Sequence, residues 1–117
     1  MKPVKYSTKD TKKTNFGSKI IYKYPTPTKN ADIGHMLVNG RHPKNARSFM
    51  MNQVCSFVIF ITKGTGTIYA GDEIFNVKPE DVVFIPAKNK YAVEGNFEYV
   101  TVDFPSWYPE QYSEVQI

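Results

Sequence analysis

The sequence is poor in the residues that usually carry chemistry: one cysteine, two histidines and one tryptophan in 117 residues. The lone cysteine, Cys55, excludes an intrachain disulfide, and its place at the head of the apolar run ending at Ile61 marks it as a buried, inert thiol. No stretch reaches the roughly eighteen consecutive apolar residues that cross a bilayer. The segment Met1-Lys2-Pro3-Val4-Lys5-Tyr6 also lacks the apolar core of a secretory signal. A soluble, cytoplasmic protein with no membrane contact is therefore expected. There is no Ser-His-Asp arrangement, zinc signature, dinucleotide fingerprint or phosphate loop, so no cofactor is expected. Gly64-Thr65-Gly66 belongs to a hairpin rather than a nucleotide cradle. A helical stripe ten residues long is missing as well, which excludes the helical and the α/β classes.

What is present is enough for one domain with one core: 41% hydrophobic and 22% charged residues, with eight Pro and seven Gly to make turns. The net charge of +4 is unevenly spread. Residues 1–50 hold eleven Lys and Arg against two acids, for +9, and residues 51–117 hold four against nine, for −5. The basic residues are scattered and accompany no reading motif, so nucleic acid is not the expected partner. A basic face also suits an anionic small molecule or the acidic half of a second subunit.

The order of turns predicts an all-β body. Residues 1–15 form a basic leader with little to bury, suited to an edge strand or a partly flexible tail. A strand from Gly17 to Tyr24 stops at Pro25-Thr26-Pro27. His35-Met36-Leu37-Val38 is expected to end in a tight turn at Asn39-Gly40, with Arg41 to Asn45 as exposed loop. Ser48 to Ile61 reads as one or two central strands because it is rich in β-branched and aromatic residues. A turn at Thr62-Lys63-Gly64 then separates it from the strand Thr65–Ala70, followed by Glu73–Val77, Val82–Ile85 and Phe97–Phe104. Connections this short demand antiparallel pairing, in a sandwich or barrel.

The block Phe60-Ile61-Thr62-Lys63-Gly64-Thr65-Gly66-Thr67-Ile68, with Ile74-Phe75-Asn76-Val77-Lys78-Pro79-Glu80-Asp81-Val82-Val83-Phe84-Ile85-Pro86-Ala87, resembles the core of single-domain cupins. The resemblance covers roughly residues 47–104, within one domain spanning 16–117. It implies a double-stranded β-helix, or jelly-roll barrel, often paired as a homodimer. It also implies where a metal site would stand: a Glu near Phe57, two His near Met51 and Gln53 or near Met50 and Asn52, and a third His at Tyr91. None of these positions carries imidazole or carboxylate, so a degenerate metal site with no bound metal is expected.

The remaining expectation is a metal-independent barrel that binds a small polar or anionic metabolite, the family's range suggesting a carbohydrate derivative. Tyr69, Tyr91, Tyr99 and Trp107 are candidate wall residues, since each ring offers an apolar face and a polar handle. Arg47, Lys88 and Lys90 are candidate anion contacts and Gln53 a polar one. One alternative is a metal-independent sugar isomerase or epimerase using Tyr91, His35 or His42 for proton transfer, with Glu94 as a further acid or base. Another is a non-enzymatic assembly or regulatory domain. Asp103 to Tyr112 resembles a cupin closing segment and fits a lid, a dimer clasp or a cover for the core.

Overall fold

The computed structural model describes residues 1–117. It has nine strands: β1 (Lys12–Asn15), β2 (Lys19–Lys23), β3 (Asp32–His42), β4 (Ser48–Asn52), β5 (Ser56–Ala70), β6 (Glu73–Val77), β7 (Val82–Ile85), β8 (Lys90–Phe104) and β9 (Tyr112–Gln116). The only helical pieces are two 3₁₀ turns, Thr8–Asp10 and Pro109–Gln111. Every strand pair is antiparallel. The sheet runs β1-β2-β3-β8-β4-β9, and β5 lies along the other side of β8, carrying β6 and β7 on its far edge. This is the expected all-β jelly roll, a double-stranded β-helix built on the β5–β8 ribbon.

That ribbon winds steeply. In register, Phe57 opposes Asp103 while Tyr91 opposes Ala70, and the run of β8 from Tyr91 to Asp103 would span about 40 Å if straight. The rings of Phe57 and Tyr91 are nevertheless 4.8 Å apart, centroid to centroid. A row of glycines allows the bend, because Gly40, Gly95 and Gly66 lie side by side across β3, β8 and β5. Gly95 has φ +139°, and a Cβ there would stand 2.7 Å from the Gly66 Cα and 2.8 Å from the Thr65 carbonyl oxygen.

Alternation then fixes what faces inward. Phe57, Ile59 and Ile61 of β5, with Tyr91, Val93, Phe97 and Tyr99 of β8, join Met36, Val38, Met50, Ile68, Val77, Val83 and Ile85 in one core cluster. Each fully buried Ile or Val contributes about 1.5–3 kcal/mol.

Two expected turns are strand instead. Asn39-Gly40 sits inside β3 opposite Asn96 and Gly95, so Arg41 and His42 are strand residues, not loop. Thr62-Lys63-Gly64 is an irregularity within β5, with a register shift between Ile61 and Lys63. In both places the long partner β8 continues the ladder, and its hydrogen bonds override the local turn preference. The leader supplies the edge strand β1, paired with β2.

Candidate functional site

The inner wall is not apolar throughout. Lys19 and Lys23 of β2, Asp32 of β3, Asn52 of β4, and Thr101 and Asp103 of β8 fall in the inward-facing sets defined by the register. All but Lys23 are buried. Lys23 Nζ donates to Asp32 Oδ1 and to Asp103 Oδ2, each at 2.7 Å. Burial above all, then the Asp32 carboxyl beside it, lifts Asp103 to about 7 against the pull of Lys23. A neutral cluster, with one lysine, one carboxylate and one protonated carboxyl, is the low-cost arrangement in a dry interior.

The chain's closing segment is tied to the same cluster. The Trp107 backbone N–H donates to Asp32 Oδ2 (2.8 Å), while Trp107 Nε1 (3.1 Å) and Gln111 Nε2 (2.9 Å) both donate to Asn52 Oδ1. Asn52 also stands beside Tyr91, which burial pushes well above the ordinary phenol range, with the Asn52 amide acting the other way. Tyr99 is lifted too, by burial and then by the Asp103 charge. Both phenols are therefore hydrogen-bonding groups, not phenolates, at neutral pH. Lys19 is enclosed as well, and its ammonium lies 4.0 Å from the Met50 sulfur. Burial lowers it to about 8, with Asp103 opposing and Lys23 assisting.

Of the two metal-site registers left open by the sequence, the structure brings Met50 and Asn52 inward, beside Tyr91 and Phe57, and leaves Gln53 exposed. A thioether, a neutral amide, a phenol and a phenyl ring do not make the imidazole–carboxylate set that holds iron, manganese or zinc. No group of three or more His, Cys, Asp or Glu stands together elsewhere. The residues at this position do not fit such a metal, and no step is derived through one.

The other sequence candidates separate by face. Tyr91 and Tyr99 are inside. His42 opposes Val93, so it shares the inner face with Tyr91 two residues along, half-buried beneath Phe16 at 5.0 Å between ring centroids. Burial, then the charges of Lys19 and Arg41, lowers its pKa to about 4. His35 opposes Val100 on the outer face and lies 3.3 Å from Glu98. Tyr69 is outside as well, donating to Glu94 Oε1 (2.9 Å). Lys90 lies over the Phe49 ring, Arg47 Nε donates to the Ile117 carbonyl, and Lys88 is an exposed turn residue with φ +68°. Trp107 reaches the cluster from the closing segment. Lys19, Lys23, Asp32 and Asp103 were not singled out from the sequence. Their one signal is the alternation Lys19-Ile21-Lys23, which marks a face but not which face is inside.

Two surface hollows lie elsewhere. One of about 580 Å³ is lined by Thr65, Thr67, Asn76, Lys78, Asp81 and Glu94, and another of about 460 Å³ by Tyr6, Tyr24, Ile33, His35 and Val100. Neither includes the inner cluster.

No protein-family model and no curated protein matches this sequence. Solved structures do match, and they place the chain in a fold class, the cupin-type β-barrel. Bacillus subtilis oxalate decarboxylase superposes with a TM-score of 0.76 at 14% identity, over 96% of this chain and 32% of its own. A protein from Planctomyces limnophilus gives 0.79 at 10% identity, over 95% and 96%. Streptomyces Pac13, a β-barrel nucleoside dehydratase, gives 0.88 at 18% identity, over 100% of this chain and 93% of its own. It is known with uridine, in variants that replace a tyrosine by phenylalanine or a histidine by glutamine. At these identities the likeness is one of fold.

Proposed function

We propose that the inner wall binds a small polar metabolite of the nucleoside type and acts on it by metal-independent acid–base chemistry, with loss of water as the reaction. The observation that carries this reading is the presence of His42, Tyr91, Asn52 and Lys19 on the inner face of the barrel, beside its apolar core. The likeness to a nucleoside dehydratase supports it. A neutral imidazole has a lone pair to accept a proton from carbon next to a carbonyl, and a nearby ammonium or phenol can supply one to the leaving hydroxyl. A nucleoside carries a sugar, so the carbohydrate-derivative expectation falls within this class.

Calorimetric titration with uridine tests the reading. Wild-type protein is expected to bind, and Tyr91→Phe to bind about five- to tenfold more weakly, as loss of one hydrogen bond costs about 1 kcal/mol. Absence of uridine binding by folded wild-type protein, or an unchanged affinity in both Tyr91→Phe and His42→Gln, would overturn it. The isomerase or epimerase reading shares the first proton transfer and differs in keeping the hydroxyl. Product mass in deuterated water separates the two.

The outer face supports a homodimer. Phe84, Val58, Val102 and Ile33 lie in line across β7, β5, β8 and β3, and Phe84 stacks on Phe104 at 6.1 Å. Ile33, Phe60, Val82, Phe84, Val102 and Phe104 are all exposed. Together they offer roughly 500 Å² of apolar side chain, most of the ~800 Å² per partner of a standard interface. The free Cys55 suits a cytoplasmic setting.

A further inference from the structure

Lys19 is the most enclosed amine in the protein, 5% exposed, and no carboxylate lies within ion-pair distance of it. Its single polar contact is the Met50 thioether at 4.0 Å, which cannot neutralise an ammonium. Strands β2 and β4 are not neighbours in the sheet, so this contact reaches across the barrel interior. Met50 is the register partner of Tyr91, and Tyr91 packs on Phe57. The amine thus ends among the groups of the proposed site, although its own strand pairs with neither β8 nor β4.

Leaving an amine dry and without an anion is costly unless it has a use. The same setting makes lysine a nucleophile, because desolvation and nearby cations favour the neutral amine. Lys19 is lowered to about 8 by burial, with Lys23 adding to the effect and Asp103 opposing it. About a tenth of the protein then carries the free amine at pH 7, against less than a thousandth for an ordinary lysine. Lys23 is held by both Asp32 and Asp103, so neither carboxyl forms an ion pair with Lys19. The free-amine form of Lys19 needs no counter-charge to attack a neutral carbonyl.

We propose that Lys19 forms an imine with a carbonyl carbon of the ligand, so that the substrate class is an aldehyde or ketone. This rests on the inner wall being the ligand site. The Nζ lone pair forms the C–N bond as the carbonyl π pair moves to oxygen, and one proton passes from nitrogen to that oxygen to give a carbinolamine. The nitrogen lone pair then expels the hydroxyl, which takes up one further proton from solvent and leaves as water, so that a protonated imine remains. Overall one amine, one carbonyl and one proton give one protonated imine and one water, with no oxidant or reductant. The positive charge stays on nitrogen, near Asp103, and it acidifies the adjacent C–H for the base.

Reductive trapping on the folded full-length chain is the test. Protein is incubated at pH 7 with glycolaldehyde and cyanoborohydride, and the adducts are located by peptide mass spectrometry. The expected result is one dominant adduct on Lys19, formed about tenfold faster than on exposed lysines, and absent from both Lys19→Arg and Lys19→Met. Modification that follows exposure and spares Lys19 would overturn the imine. Uridine has no reactive aldehyde, so its calorimetric titration judges the ligand site separately. Binding of uridine without Lys19 labelling sinks the imine alone. Labelling of Lys19 that uridine does not slow upholds the imine and counts against the nucleoside.

Discussion

Each face of the β3–β8–β5 region departs at several positions from the usual rule of apolar inside and polar outside. Outward, the region shows Ile33, Phe60, Val102 and Phe104 to solvent. Inward, it encloses Asp32, Thr101 and Asp103, with Lys19 and Asn52 from the adjoining strands. Neither face is explained by the stability of an isolated chain, since enclosing charge costs free energy and exposing large apolar groups forgoes a gain. The difference accords with the two proposals made above, a polar guest for the inner face and a second copy of the chain for the outer.

Breaking the inner ion cluster has the largest expected effect. Lys23→Met removes the cation shared by two buried carboxylates and is expected to cost about 2–4 kcal/mol, read by urea denaturation at pH 7. A loss below about 0.5 kcal/mol would show that the carboxylates hold each other through a proton without it.

Lys19→Met sharpens the comparison in the opposite direction. The folded pKa of Lys19 lies below its unfolded value of 10.5. The unfolded chain therefore binds more protons between pH 8 and 10.5, and stability attributable to Lys19 rises across that window. The cost of its charge is fully present below pH 8 and amounts to roughly 1–3 kcal/mol. Lys19→Met is expected to be more stable than wild type at pH 7 by about that much, and to lack the alkaline gain. Parallel wild-type and mutant denaturation curves from pH 7 to 10.5 would contradict the assignment.

The outer face yields smaller changes in folding. Phe84→Lys is expected to alter monomer stability by no more than about 0.5 kcal/mol while shifting the mass measured by light scattering from dimer to monomer. An unchanged mass would leave the outer face without a second copy. Tyr69→Phe removes only the exposed hydrogen bond to Glu94. It should change stability by less than about 0.5 kcal/mol and leave uridine affinity untouched.

Much of the fold was legible because its signals are local. The apolar run to Ile61, the Lys78–Asp81 turn with the Lys78 N–H donating to Asp81 Oδ2 at 2.9 Å, and the strand ending at Pro86 each follow from neighbouring residues. Asn39-Gly40 and Thr62-Gly64 misled for the complementary reason: both are sound turn sequences, and only the partner β8 makes them strand. The site was less legible. Tyr91 stood out through a family position, whereas Lys19 and Lys23 lie on a strand whose two faces, Lys19-Ile21-Lys23 and Ile20-Tyr22, are equally plausible as core.

By itself the sequence determined an all-β chain of antiparallel strands, a single cysteine with no intrachain partner and the lack of a conventional metal-ligand set, since composition, alternation and turn chemistry act over a few residues. The tertiary structure decided which face of each strand is inside and how far the β5–β8 ribbon winds. Only that winding, permitted by Gly40, Gly95 and Gly66, carries Tyr91 round to Phe57 and sets the Lys19 amine against Met50. Contacts between residues distant in the chain depend on the accumulated twist of the whole sheet, and no local run of amino acids encodes it.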